Sequence, residues 1–71
     1  MDFLTVRVGK MPGLISSVVL EGGATVADAL AQANITVENG QEIRMDNNTV
    51  SLDTEVTNNA LIIVTKMIKG N

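Results

Sequence analysis

The sequence has 71 residues, a formal net charge of −3, 45% hydrophobic residues and 1% aromatic residues. It contains neither cysteine nor histidine, which excludes disulfides, the usual zinc sites and the commonest general base. The acidic balance, with Phe3 as the single aromatic residue, argues against nucleic-acid binding. We therefore expect a small domain that depends on packing alone, with no metal and no cofactor.

The apolar segments are too short for a membrane. The longest run of large apolar residues spans Leu61–Val64, whereas a membrane helix needs about 20 residues. No basic segment followed by an apolar one begins the sequence, so it shows no secretory signal. We expect a cytosolic protein without membrane association.

The first 21 residues predict a β-hairpin. Residues 3–8 alternate with the two-residue period of a half-buried strand. One face carries Leu4, Val6 and Val8, and the other carries Phe3, Thr5 and Arg7. Pro12 and Gly13 then form a turn, after which the β-branched segment ISSVVLE continues as a second strand.

A helix is predicted over residues 26–33. Its apolar positions follow the i, i+3, i+4, i+7 spacing of one helical face, and they are Val26, Ala29, Leu30 and Ala33. Thr25 is a suitable N-cap, with Asp28 placed to complete a capping box. Asn34 can end the helix because asparagine tolerates the left-handed conformation.

The remaining segments predict a short hairpin and a final strand. Ile43 and Met45 lie on one face, the DNN segment turns, and Val50 and Leu52 begin a short strand. The last strand is apolar on both faces, so it would promote aggregation if it lay at an exposed edge of the sheet. It should therefore lie in the middle of the sheet, parallel to the first strand.

This order of elements predicts an α+β protein with the β-grasp (ubiquitin-like) fold, in which one helix crosses a mixed sheet of four or five strands. We expect residues 1–71 to form a single domain. Residues 69–71 are expected to form a flexible C-terminal tail. The sheet residues expected beneath the helix are Leu4, Val6, Val8, Ile43, Met45, Ile62 and Val64.

Two segments resemble a known family, the sulfur carriers ThiS and MoaD of thiamine and molybdopterin biosynthesis. They are EGGATVADAL at residues 21–30 and IRMDNNTVSLDTEVTNNALIIVTKMIKGN at residues 43–71. The resemblance implies a ubiquitin-like β-grasp domain whose C-terminal carboxylate is adenylated by an E1-like enzyme and then converted to a thiocarboxylate.

The tail Lys69, Gly70, Asn71 departs from the family at its last position. The family ends in Gly-Gly, since glycine lets the tail pass through a narrow channel, whereas here asparagine carries the terminal carboxylate. Three interpretations follow. The chain is a non-conjugating interaction module, our leading interpretation; it is an active carrier after trimming or acceptance of Asn71; or it is a structural part of a larger complex.

The sheet face opposite the helix is the predicted partner-binding surface. Its candidate residues are Phe3, Arg7, Arg44, Leu61 and Ile63. Large apolar side chains with a basic rim are typical of a docking surface, and the resemblance implies the same use of this face. Alternatively, Leu61 and Ile63 only strengthen a central strand. We expect a non-enzymatic chain, monomeric or weakly dimeric, whose partner is a protein, with an E1-like enzyme as one candidate.

Overall fold

The computed structural model describes residues 2–11 and 13–67. Its elements are β1 (Phe3–Lys10), β2 (Ile15–Glu21), α1 (Val26–Gln32), β3 (Gln41–Met45), β4 (Asn48–Val50) and β5 (Leu61–Lys66). The strands form one sheet in the order β2-β1-β5-β3-β4. β1 and β5 are parallel, and the other neighbouring pairs are antiparallel. This arrangement confirms the predicted α+β, ubiquitin-like β-grasp fold with β5 at its centre.

The helix begins with the predicted capping box. The Thr25 side chain accepts a hydrogen bond from the Asp28 backbone N–H at 3.4 Å, and the Thr25 N–H donates to the Asp28 carboxylate at 2.9 Å. The helix ends at Gln32, one residue earlier than predicted, with Ala33 as its C-cap. Asn34 follows in the predicted left-handed conformation, with φ of +59°.

The core lies between α1 and one face of the sheet. Of the predicted sheet residues, five are buried: Val6, Val8, Ile43, Ile62 and Val64. Leu4 and Met45 are partly buried and pack against this cluster. Val56 and Ala60, which belong to the loop before β5, are also buried and were not predicted as core residues.

The segment after β4 differs from the prediction. The short strand ends at Val50, and Leu52 is an exposed loop residue. Its carbonyl accepts a hydrogen bond from the Ala27 N–H at 3.0 Å, while the Thr54 carbonyl accepts from the Val26 N–H at 2.8 Å. The loop therefore turns away from β3 because it satisfies N–H groups of the first helical turn.

Some expectations concern residues that the structure does not describe. The tail residues Lys69, Gly70 and Asn71 lie outside the described residues. Within residues 2–11 and 13–67, no helix has the length and apolar character required to cross a membrane. The same part of the chain holds no group of three or more acidic, histidine or cysteine residues that could bind a metal ion.

Candidate functional site

The sheet face that α1 does not cover, called the open face below, contains a depression near its centre. Strand pairing places Arg7 of β1 beside Leu61 of β5, and Ile63 between Gly9 and Arg44. Neighbouring strands lie about 4.8 Å apart, so the side chains of paired residues lie next to each other on this face. The depression has a volume of about 350 Å³ and is lined by Arg7, Arg44, Asp46, Asn47, Leu61 and Ile63. We call it the central depression.

Four of the five face residues proposed from the sequence line the central depression. Phe3 is the exception, although it lies on the same face of β1 and is 59% exposed. It precedes Arg7 by four residues, which corresponds to about 13 Å along a strand. Its partner across the hairpin is Glu21. Phe3 is thus placed at one end of the open face, away from the depression.

The floor of the central depression is apolar. Leu61 and Ile63 of β5 are half-buried, although α1 packs against the other face of the sheet. Beside Ile63, Gly9 contributes no side chain, and Ile15 occupies the free space. A Cβ atom placed on Gly9 would lie 2.7 Å from the Cγ1 atom of Ile15. The missing side chain therefore lets Ile15 of β2 extend the apolar surface toward the centre of the sheet.

The charged residues around the floor differ in how far they are neutralised. The Arg44 Nε donates a 2.8 Å hydrogen bond to the Glu42 carboxylate, so this guanidinium has an anionic partner. The Asp46 carboxylate accepts from the Leu61 backbone N–H at 3.0 Å. Arg7 forms no ion pair with any residue in the described ranges. Arg7 therefore has a positive charge available to a partner.

Two lining residues were not predicted as part of the site. Asp46 and Asn47 form the turn between β3 and β4, with φ of +52° and +73°. Positive φ at both central residues is the geometry of a type I′ hairpin turn. The sequence identified the turn, but only the antiparallel pairing of β3 with β5 places it beside Leu61.

The open face also extends onto β2. Ile15 pairs with Gly9, and Val19 pairs with Thr5, which places both side chains on this face. Ile15 is 49% exposed and Val19 is 56% exposed. The segment ISSVVLE does not alternate between apolar and polar residues, so the hairpin register is needed to show which of its residues face the same way as Arg7.

Comparison with known proteins supports the fold. No protein-family model matches the sequence, and no similar sequence was found among curated proteins. SAMP1 from Haloferax volcanii has a similar structure, with a TM-score of 0.75 and 12% identity, over 94% of this chain and 99% of that one. The ubiquitin of Caldiarchaeum subterraneum has a TM-score of 0.63 and 8% identity, over 99% of this chain and 100% of that one. At these identities the likeness shows the fold alone, which is a ubiquitin-like β-grasp.

Proposed function

We propose that the chain is a non-enzymatic protein-binding module that docks a partner on its open face. The observation that carries this proposal is the central depression, where Leu61 and Ile63 form an apolar floor next to the cationic Arg7. The ubiquitin-like neighbours agree with a chain that is not itself an enzyme. Its origin from a sulfur carrier of the ThiS and MoaD type and its cytosolic location remain predictions.

The composition of the depression suits a protein partner. Interfaces between proteins place apolar side chains at the centre and polar groups at the rim, and a few residues in a well-packed pocket supply most of the binding energy. Here Ile63 lies on β5, between β1 and β3, while Arg7 and Arg44 flank the floor. A complementary partner surface has an apolar side chain that enters the depression and an acidic group that meets Arg7.

The test compares two substitutions that introduce the same charge at apolar positions. Ile63→Arg places a guanidinium in the floor of the depression, whereas Leu52→Arg places it on an exposed loop away from the open face. Purified tagged chains are incubated with an extract of the source cells, and captured proteins are identified by mass spectrometry. We expect a specific partner to be captured by the original chain and by Leu52→Arg, but lost with Ile63→Arg.

One result would contradict this function, and another would require a second variant. Equal capture of the partner by all three chains would show that binding does not use the open face. Unfolding of Ile63→Arg, detected by circular dichroism, would show that Ile63 is required for the fold. In that case Leu61→Ser, which removes apolar area without adding charge, repeats the comparison.

The second candidate function is that of a sulfur carrier activated at its C-terminus by an E1-like enzyme. The observation that favours it is the path of β5, which runs through the centre of the sheet beside the depression. Its continuation is held at Met67, whose N–H donates to the Gly40 carbonyl at 2.8 Å. A partner on the open face would thus bind next to the strand that leads to the tail.

Intact mass distinguishes the two functions. The chain and an Asn71→Gly variant are incubated with ATP, a sulfur donor and a ThiS- or MoaD-type adenylating enzyme. Replacement of one terminal carboxylate oxygen by sulfur in the original chain, or removal of Asn71 followed by that exchange, would establish a carrier. Modification of Asn71→Gly alone would show that the asparagine blocks activation, as expected for a binding module.

A further inference from the structure

The outer edge of β2 has no partner strand in the part of the chain that the structure describes. β2 is the last strand on its side of the sheet, and no described strand pairs with its outer side. The hydrogen bond from the Gly22 N–H to the Asp2 carbonyl, at 2.8 Å, shows which backbone N–H and C=O groups of β2 point inward, toward β1. Bonded pairs alternate along an antiparallel ladder, so the N–H and C=O groups of Ile15, Ser17 and Val19 point outward.

This edge lacks the features that usually prevent strands from pairing. Exposed edges are commonly short, charged, interrupted by proline or covered. β4, the other outer strand, spans only Asn48–Val50. By contrast, β2 has seven residues, and residues 15–20 include neither a charged residue nor proline. Leu14, next to its start, is 91% exposed.

The segment from Leu14 to Leu20, LISSVVL, is nearly self-complementary about Ser17. If two copies pair antiparallel with Ser17 opposite Ser17, Ile15 of one copy faces Val19 of the other. The remaining pairs are Leu14 with Leu20 and Ser16 with Val18. This register brings the outward groups of residues 15, 17 and 19 opposite one another, where they can exchange hydrogen bonds. Apolar cross-strand pairs then stabilise the contact.

The neighbouring register of the same edge is less favourable. Centred on Val18, it places Glu21 of one copy opposite Ile15 of the other, so a carboxylate faces an apolar side chain. The register about Ser17 keeps Glu21 beyond the paired segment. The side chains therefore favour the two-fold arrangement about Ser17 over the one about Val18.

We propose that β2 is a homodimerisation edge, through which two copies of this chain join antiparallel about Ser17 into one continuous sheet. A second copy is favoured over an extended peptide because its strand is already ordered. A disordered peptide would lose backbone conformational entropy at every residue that it fixes against the edge. In the dimer the two open faces lie on the same side of the joined sheet, so each dimer presents two central depressions.

Concentration dependence provides the first test. One strand pair forms a contact smaller than the standard interface of about 1,600 Å², so we expect a dissociation constant between about 1 μM and 1 mM. Sedimentation equilibrium up to about 1 mM should show a dimer. Val19→Lys should raise the dissociation constant at least about tenfold, because a charge then faces Ile15. Thr49→Lys, at an exposed site on β4, is the matched control.

Cross-linking tests the register. The chain has no cysteine, so Ser17→Cys introduces a single thiol at the proposed two-fold axis. Directly opposite bonded residues have Cα atoms about 5.5 Å apart, within the usual range for a disulfide. Under mild oxidation, Ser17→Cys should form a disulfide-linked dimer much faster than Thr49→Cys.

Three outcomes would overturn the dimer. The chain could stay monomeric throughout the concentration range, Val19→Lys could dimerise as well as Thr49→Lys, or the two cysteine variants could cross-link at equal rates.

Amide exchange gives an independent readout. Protection of the Ser17 and Val19 amides should rise with protein concentration, whereas the inward-pointing Ser16 and Val18 amides should be protected at every concentration.

Discussion

Alternate residues of β5 occupy two different environments. Ile62 and Val64 are 0% exposed on the sheet face that packs against α1, whereas Leu61 and Ile63 are half-buried on the opposite, open face. Both faces of the strand are equally apolar in sequence, but only one contributes to the enclosed core. The comparison separates two uses of hydrophobicity: one face holds the domain together, and the other remains available to a partner.

The adjacent isoleucines allow the strongest test of this difference. Ile62→Ala should reduce the free energy of unfolding by about 3–4 kcal/mol, because it leaves a cavity in a closed core. Ile63→Ala should cost only about 1 kcal/mol, since solvent and neighbouring side chains can fill the space on an open face. Urea unfolding followed by circular dichroism measures both values.

Similar losses in the two alanine variants would show that the open face is as important for stability as the core. A small domain has a small stability margin, so Ile62→Ala could lack a folded baseline. Ile62→Val, with an expected cost of about 1 kcal/mol, provides a measurable core variant for that case.

Gly9→Ala tests whether the open face is itself closely packed. The added Cβ would meet the Ile15 Cγ1 at 2.7 Å and the Leu14 carbonyl oxygen at 3.1 Å, so both must move. We expect a loss of about 1–3 kcal/mol in unfolding free energy, as for other overpacked sites. Thermal unfolding checks this value. An unchanged melting temperature would mean that Ile15 is free to leave its position over Gly9.

Much of the fold could be predicted because local signals agreed with one another. The alternation in β1, the capping box of Thr25 and Asp28, and the left-handed Asn34 each identified an element or its end. The burial of Val56 was not predictable in this way. It lies in a loop without periodicity, and its position depends on a hydrogen bond from its N–H to the Ala24 carbonyl at 2.9 Å.

The candidate site was predicted less completely than the fold. Strand alternation correctly placed Arg7 and Phe3 on one face, but it does not show which residues of the neighbouring strands lie beside each of them, and only Arg7 lines the central depression. Asp46 and Asn47 were absent from the predicted surface because their position depends on how β3 pairs with β5. Residues that share a face are thus readable from sequence, while residues that share a site require the strand register.

The smallest expected effect on stability concerns Arg7. Arg7→Ala and Lys10→Ala remove the same charge from one strand, but Arg7 lies on the open face. Lys10 faces the helix side, where its Nζ donates to the Thr36 carbonyl at 3.2 Å. We expect Arg7→Ala to change the free energy of unfolding by less than about 0.5 kcal/mol, because an exposed residue that forms no ion pair within residues 2–11 and 13–67 contributes little to stability.

Binding to a partner should depend strongly on Arg7 and little on Lys10. For the partner captured through the open face, Arg7→Ala should weaken affinity about tenfold and reduce its dependence on salt, because an exposed cation attracts an acidic group over a distance that salt screens. Lys10→Ala should leave affinity within about twofold, since a residue outside the contact rarely affects it. Titration calorimetry at two salt concentrations measures both. If Lys10→Ala proved the more damaging, the partner would bind on the helix side, and the exposed apolar residues of β5 would serve only the fold.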